Sequence, residues 1–460
     1  MGQILFRFFL ILNIVPYLFT KKIKIPFKTS HNTNIDYIKS LLYGHIYTQL
    51  MVGTTKQIVN LGISTEESLF AIESSIINEN NYNINKSTSY RDNRGMFIYM
   101  DKYQRYFRGD ILNETFYMYN SPNYKEDDIS EYNDLMFAHI IELKKGFNPM
   151  DNGFIDNNKN LISGKIGLQI TNEYNANDHI SLIKDFKSLN LIDKLVWTLI
   201  YTTDEEGYLT FGEYPYQYNN SYNEEMQQKI SCMSINNDFS WTFSFTDIKI
   251  GKQKLTIYRL ADYSPQLGLI KGTSEYLAII KPYFESLGKC KLIEIEFKNE
   301  KYEYYECEKN TNINNFEPLI FVHQELENNF VLTKDDLFID YNEKKYFLIL
   351  FPKGAYQQRW QLGKPFTKKF KFSFEHESRN ILFYKDLKQI EEKNDESKIK
   401  NIIIIIGSII GIIALIGGIY IGKKFCSQKK KKKANELEDE IINNKINNEN
   451  NEDSDKLGIN

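Results

Sequence analysis

The sequence predicts an all-β fold with minor helices. Between residues 38 and 385, short runs of Ile, Val, Phe, Tyr and Thr are broken by Asn, Asp and Gly, the pattern of strands joined by turns. Examples are residues 46–52, residues 241–250 with a turn at Gly251, and residues 346–351. No solenoid-type repeat is visible. A chain of 460 residues accommodates several domains or one large two-lobed β protein.

One helix is predicted among these strands. Leu182, Phe186 and Leu189 recur at the i, i+4 and i+7 positions that place side chains on one helix face. Asn190 follows them and is a residue type that ends helices. The pattern therefore predicts a short amphipathic helix near residues 180–190.

Composition excludes several classes of function. Hydrophobic residues make up 42% of the chain, which is enough to form a folded core. The formal net charge of -3 gives no basic field to hold nucleic acid, so we expect no nucleic-acid partner. The four Cys lack C-x-x-C spacing and the six His lack an H-E-x-x-H motif. We therefore expect no metal and no cofactor.

The N-terminus predicts entry into the secretory pathway. Residues 8–19 are an apolar run with the length of a signal-peptide core, and three lysines follow at Lys21, Lys22 and Lys24. We predict a signal peptide at 1–20. The alternative is a buried strand at the start of the domain.

The C-terminal region predicts one transmembrane helix. Residues 402–422 are uncharged and long enough to span a bilayer as a helix. A lysine cluster follows, which predicts a cytoplasmic C-terminus, a type I membrane protein and a possible contact with anionic lipid. Residues 386–400 form the predicted stalk, and 423–460 a basic and then disordered tail. The cluster comprises Lys423, Lys424, Lys429, Lys430, Lys431, Lys432 and Lys433.

Modification sites are consistent with an extracellular or lumenal domain. N-x-S/T triplets begin at Asn85, Asn113 and Asn219, although such triplets also arise by chance in an Asn-rich chain. Cys426 lies next to the predicted membrane helix, where S-palmitoylation occurs, and an unmodified cysteine is the alternative.

Two stretches resemble the pepsin-like aspartic peptidases. The first is 181–201 with its Leu-Ile-Asp link, continuing to Gly-Tyr-Leu-Thr-Phe-Gly-Glu at 207–213. The second is Trp-Gln-Leu-Gly-Lys-Pro-Phe at 360–366, followed by the strand-like runs 370–374 and 381–383. The resemblance covers residues 38–385 and implies the bilobal pepsin-like fold, with an N-terminal lobe at 38–215 and a C-terminal lobe at 216–385.

The resemblance also implies roles for single residues. Tyr99 falls where the family has the tyrosine of its flap, although an ordinary strand aromatic is an equal alternative. Cys290 and Cys307 match the disulfide of the family's second lobe. That pairing leaves Cys232 unpaired.

Both catalytic aspartates of the family are missing. The first Asp-Thr/Ser-Gly turn corresponds to residues 61–70, where Ile63 replaces the aspartate, and the second to residues 261–272, where Ser264 does. No Asp occurs between Tyr37 and Arg91. Asp262 lies two residues before Ser264, and a shift of two residues keeps a side chain on the same strand face. Even in that register Asp262 would be a lone carboxylate, because Ile63 would face it. Two carboxylates that share a proton are needed for the family's chemistry, so we expect no intact catalytic residues.

Three functions follow from these observations. The leading one is a membrane-anchored, catalytically inactive pepsin-like domain that binds a peptide or protein through its interlobe cleft or surface. The second is an active aspartic endopeptidase, as the family implies. The third is a surface or adhesive glycoprotein that uses the fold only as a scaffold.

Overall fold

Strands dominate the protein, which confirms the predicted all-β class. The structure, a computed structural model, describes residues 21–29, 36–42, 46–100, 106–144, 162–170, 180–218, 222, 227–232, 240–255, 259–297, 300–326, 329–354 and 359–384. The predicted segments 1–20, 386–400, 402–422 and 423–460 lie outside these residues, as does Asn219. Within the described ranges, no helix has both the length and the apolar character to cross a membrane.

The strands are numbered in chain order. The first half of the chain contains β1 (Ile23–Thr29), β2 (Ile46–Val52), β3 (Gln57–Ser64), β4 (Phe70–Glu73), β5 (Arg91–Met100), β6 (Tyr106–Tyr119), β7 (Ile129–Lys144), β8 (Gly164–Gly167), β9 (Val196–Tyr201) and β10 (Glu206–Phe211). The second half contains β11 (Gln227–Ser231), β12 (Thr242–Phe245), β13 (Asp247–Ile250), β14 (Gln253–Leu255), β15 (Arg259–Tyr263), β16 (Ile270–Lys271), β17 (Cys290–Phe297), β18 (Glu300–Glu308), β19 (Leu319–Val322), β20 (Asn329–Leu332), β21 (Phe338–Tyr341), β22 (Lys344–Phe347), β23 (Ile349–Pro352), β24 (Arg359–Leu362), β25 (Lys371–Glu375) and β26 (Asn380–Tyr384).

Short helices connect these strands. They are α1 (Tyr37–Leu42), α2 (Leu182–Ser188), α3 (Pro215–Tyr218), α4 (Ser274–Leu287), α5 (Lys334–Leu337) and α6 (Lys364–Lys369). The predicted helix is confirmed as α2, whose Leu182 and Phe186 are buried, and Asn190 beyond its end has a positive φ of 57°. Sequence reasoning missed α4, which buries Tyr276, Ile280 and Phe284.

The described strands form three sheets. The largest has thirteen strands in the order β11-β26-β25-β9-β10-β1-β2-β3-β8-β4-β7-β6-β5. A nine-stranded sheet has the order β12-β15-β24-β16-β23-β18-β22-β21, with β17 paired to β18. A four-stranded sheet has the order β14-β13-β19-β20.

Six strands of the large sheet show an internal symmetry. In the first half, the opening strand β1 pairs with the closing strand β10, which pairs with β9. In the second half, the opening strand β11 pairs with the closing strand β26, which pairs with β25. Strands β9 and β25 then pair with each other. The folded region therefore begins by Ile23, well before the predicted boundary at residue 38, because β1 is an interior strand of this sheet.

Aromatic packing joins the halves where β9 meets β25. Trp197 stacks on Phe374 with 4.1 Å between ring centroids, and Trp241 packs edge-on against Trp197 at 6.1 Å. The Thr198 and Ser373 hydroxyls are 2.5 Å apart and hydrogen-bonded. Both tryptophans are fully buried, so this junction is part of one continuous core.

The disulfide implied by the family resemblance is present. Cys290 and Cys307 are directly opposed on β17 and β18 and are bonded. The Cys232 thiol lies outside this bond and donates to the Ser240 carbonyl oxygen at 3.0 Å. We expect reduction of this bond to lower the free energy of unfolding by about 3 kcal/mol, because it closes a short loop in the unfolded chain. Urea unfolding of the wild type and a Cys290→Ser/Cys307→Ser variant measures the loss. Mass mapping of a bridge that contains Cys232 would contradict the pairing.

Candidate functional site

Each half of the chain contains the same arrangement of four strands around one turn. In the first half, β3 runs parallel to β8, and β4, which follows the turn, lies between β8 and β7. In the second half, β15 runs parallel to β24, and β16 lies between β24 and β23. The turns after β3 and β15 are therefore structurally equivalent, and we call them the first and second central turns: residues 64–69 and 264–269.

The register of the parallel pairs identifies which residues match. Ile63 pairs with Ile166, which precedes Gly167, and Tyr263 pairs with Leu362, which precedes Gly363. Ile63 thus matches Tyr263, and the next residues, Ser64 and Ser264, match each other. By this register the counterpart of Ser264 is Ser64, one residue after the predicted Ile63.

Burial agrees with this register. Ile63 is 1% exposed and belongs to the main hydrophobic core, on the same strand face as Leu61 and Val59. Side chains alternate between the two faces of a strand, so Ser64 is directed to the opposite face from Ile63. Ser64 is partly exposed, while Ser264 is 3% exposed.

Two glycines hold the central turns against their neighbouring strands. A Cβ atom on Gly167 would lie 2.4 Å from the carbonyl oxygen of Glu67, and one on Gly363 would lie 2.5 Å from that of Leu267. Glu67 and Leu267 are themselves matching positions of the two turns. Only glycine allows this close backbone approach.

We expect Gly363→Ala to lower the free energy of unfolding by about 1–3 kcal/mol, because the backbone must move to accept the methyl group. Gly62→Ala is the matched control, since its Cβ would approach nothing closer than 3.6 Å. Urea unfolding of both variants tests the expectation. Equal stability of the two variants would show that the second turn tolerates a side chain.

The two central turns are in direct contact. The Thr65 hydroxyl donates to the Tyr263 carbonyl oxygen at 2.5 Å and lies 3.3 Å from Gln266 Oε1. In the second turn Pro265 matches Thr65. Proline has no hydroxyl, so it cannot form the symmetric hydrogen bond to the first half. The Trp241 indole adds a second link by donating to the Leu168 carbonyl oxygen at 2.7 Å.

The next residue of each turn, Glu66 or Gln266, is not a glycine. Glu66 and Gln266 match each other and correspond to the glycine of the Asp-Thr/Ser-Gly turn that the resemblance implies. Neither residue has a positive φ, so their side chains fit without backbone strain. The Glu66 backbone N–H donates to Ser64 Oγ at 3.1 Å. The Ser64 hydroxyl therefore accepts a hydrogen bond from within its own turn.

A buried ion pair lies beside the first turn. Lys165 on β8 is bonded to Glu67, and both side chains are under 10% exposed. The Lys165 ammonium also lies 5.7 Å from the centre of the Phe107 ring. Burial lowers the pKa of Lys165, and the negative charge of Glu66 partly opposes that change. The Glu67 carboxylate is thus held by a lysine on the neighbouring strand.

Asp262 is held outside the turn. Its carboxylate accepts a hydrogen bond from the Thr242 hydroxyl at 2.7 Å and lies 3.6 Å from the Arg359 guanidinium. Strand alternation directs it away from the face of its neighbour Tyr263, which is buried. The structure therefore gives Asp262 a role in joining three strands of the second half.

Tyr99 belongs to an aromatic cluster on the β5–β6 hairpin. Its ring lies 6.1 Å from those of both Phe97 and Phe107. The same cluster includes Leu69, at the end of the first central turn. The hairpin is thereby anchored to the first turn.

Two of the predicted glycosylation sites differ in accessibility. Asn85 is exposed on a 3-10 turn, Ile84–Lys86. Asn113 lies within β6, and its amide nitrogen donates to the Asp134 carbonyl oxygen at 2.9 Å. Asn85 is therefore the better placed acceptor of the two.

No protein-family model matches the chain, and no curated protein is significantly similar to it. Within the described ranges, no three His, Cys, Asp or Glu side chains are grouped so that they could hold a metal ion.

Proposed function

We propose that residues 21–384 form a bilobal pepsin-like domain that lacks a catalytic dyad and binds a peptide or protein ligand. The observation that carries the proposal is the internal symmetry: two matching turns meet at the centre, and serines stand at matching positions in both. The hydrogen bond from Thr65 to Tyr263 across the halves supports a paired site of this kind.

The chemistry of the central turns favours binding over hydrolysis. Peptide hydrolysis by this class of site needs one carboxylate as base and a second group that donates a proton. Ser64 and Ser264 supply neutral hydroxyls, and a hydroxyl is a poor base at any pH at which proteins are folded. Hydroxyl groups can still donate and accept hydrogen bonds with a peptide backbone.

Binding to a peptide library tests the proposal, with proteolysis assayed on the same full-length sample. We expect selected peptides to bind and to remain uncleaved, and a Ser64→Tyr variant to lose binding because its ring would fill space above the first turn. Ser286→Tyr, on the exposed face of α4, is the control. Binding that survives Ser64→Tyr would favour the scaffold function, in which ligands use the outer surface.

We also propose a type I membrane topology, with the domain lumenal or extracellular and the C-terminus cytoplasmic. The lysine cluster after residue 422 and the disulfide, which requires an oxidising compartment, support it. A tag placed after Asn460 should resist protease added to intact cells. A tag that is digested from outside would overturn the topology.

A further inference from the structure

A cavity of about 370 Å³ lies at the junction of the two halves, where Gly268 of the second central turn is among its lining residues. Helix α1 and the turn between β9 and β10 form its first-half side, and helices α5 and α6 form its second-half side. No step of the proposed function uses this cavity. Its volume is within the usual range for small-molecule sites.

One side of the cavity is apolar. Tyr37, Leu41 and Leu348 line it and belong to one buried cluster. The Tyr37 ring stacks on Tyr341 with 4.1 Å between centroids, which fixes its position. Burial raises the pKa of Tyr37 to about 12, so its phenol is neutral at physiological pH. This wall therefore offers packing surface and no negative charge.

The acids at the cavity rim are compensated. Asp204 is bonded to Lys368, and Asp336 lies 2.5 Å from the Lys369 ammonium. The third acid, Asp335, pairs with Lys334 at 2.7 Å. These pairs leave no net charge at the rim.

Among the described residues that line the cavity, Lys364 is the charged one that remains. Its ammonium group donates no hydrogen bond to any residue that the structure describes, while its backbone N–H donates to Leu267 at 2.8 Å. The side chain is partly buried, and that burial lowers the pKa of Lys364. Asp204, the first acid that acts on it, is already bonded to Lys368. A partly buried cation without a direct partner is costly unless an anion compensates it.

We propose that this cavity binds a small amphiphilic monoanion, a carboxylate carrying an apolar body. The Lys364 ammonium donates to the carboxylate, and the body packs against Tyr37, Leu41 and Leu348. The cavity has the volume of about a dozen liquid water molecules, which suits a molecule of about that many non-hydrogen atoms. Since both halves line the site, a bound ligand would also stabilise their contact.

The probe is 3-phenylpropionate, compared with its neutral amide and with 3-phenylpropylamine. We titrate each into the full-length chain in nanodiscs of zwitterionic lipid, and subtract titrations into empty nanodiscs. We expect one saturable site for the carboxylate, with the amide weaker by about tenfold or more because it loses a charge-assisted hydrogen bond. The amine should bind weakest. Equal binding of all three, or no binding at millimolar carboxylate, would overturn the proposal.

Two variants assign the binding to this cavity. Lys364→Gln should weaken the carboxylate by about tenfold and leave the amide unchanged. Leu41→Phe should weaken both by filling the cavity, and its thermal unfolding shows whether the fold is kept. Lys281→Gln, an exposed lysine on α4, is the control and should change neither. Carboxylate affinity that is unchanged in Lys364→Gln would overturn the assignment.

Discussion

The full-length chain is expected to leave a denatured protein substrate uncleaved at any pH between about 3 and 6. Ser64 and Ser264 stand at the matching positions of the two central turns, and neither can act as the carboxylate base that this chemistry needs. Loss of acid–base assistance alone lowers a rate by about 10²–10⁴-fold, and the water held between two carboxylates is lost as well. Transition-state mimics that place a hydroxyl between two carboxylates should bind weakly or not at all.

The same assay on an Asp262→Ala variant makes the expectation decisive. Asp262 is held by Thr242 and Arg359, so its removal should lower stability, and both proteins should leave the substrate uncleaved. Cleavage by the wild type that disappears in Asp262→Ala would identify Asp262 as a catalytic acid and end the inactive-site proposal. Cleavage that persists equally in both preparations would indicate a contaminating peptidase.

Local patterns predicted the local elements. The apolar spacing of α2 and the run that forms β2 depend on neighbours a few residues apart, so the sequence alone identifies them. Helix α4 was missed because Pro282 interrupts its pattern and two of its aromatic residues resemble strand residues. The structure accepts Pro282 on the exposed side of that helix.

The features of the site that the sequence did not predict depend on pairing between strands that are far apart in the chain. Val59, Leu61 and Ile63 alternate with more polar residues, and this period of two could have predicted that Ile63 is buried in the core. The correspondence of Ser264 with Ser64 would then have been the better prediction. By contrast, nothing near Glu67 in the chain indicates its pairing with Lys165, because β8 reaches it only through the sheet. The cavity beside α1 depends on elements from both halves in the same way.

Buried histidines give the domain a weakness at acid pH. His139 on β7 is 2% exposed among the rings of Tyr82 and Phe137, and burial lowers its pKa to about 4. His376 is 6% exposed against Trp241, and burial, with a smaller contribution from Lys184, lowers its pKa to about 3. Neither ring accepts or donates a hydrogen bond with any described residue, so nothing offsets the cost of charging it.

The sign of the pH dependence follows from proton binding. Below pH 6.5 the unfolded chain protonates both histidines while the folded protein keeps them neutral, so stability falls as the pH falls. For His139, a pKa of about 4 corresponds to ~3 kcal/mol lost once the pH is below that value. Asp185 acts in the opposite direction, because burial raises its pKa to about 6 and the folded state then gains its proton first.

We therefore expect the free energy of unfolding to fall by several kcal/mol between about pH 6.5 and 4, and a His139→Phe/His376→Phe variant to lose most of that fall. Urea unfolding of the full-length chain across this range measures it, with Lys281→Gln as the control. The comparison between variants isolates the histidines, since Asp185 is common to all of them. An identical pH dependence in wild type and double variant would show that carboxylates elsewhere control acid unfolding.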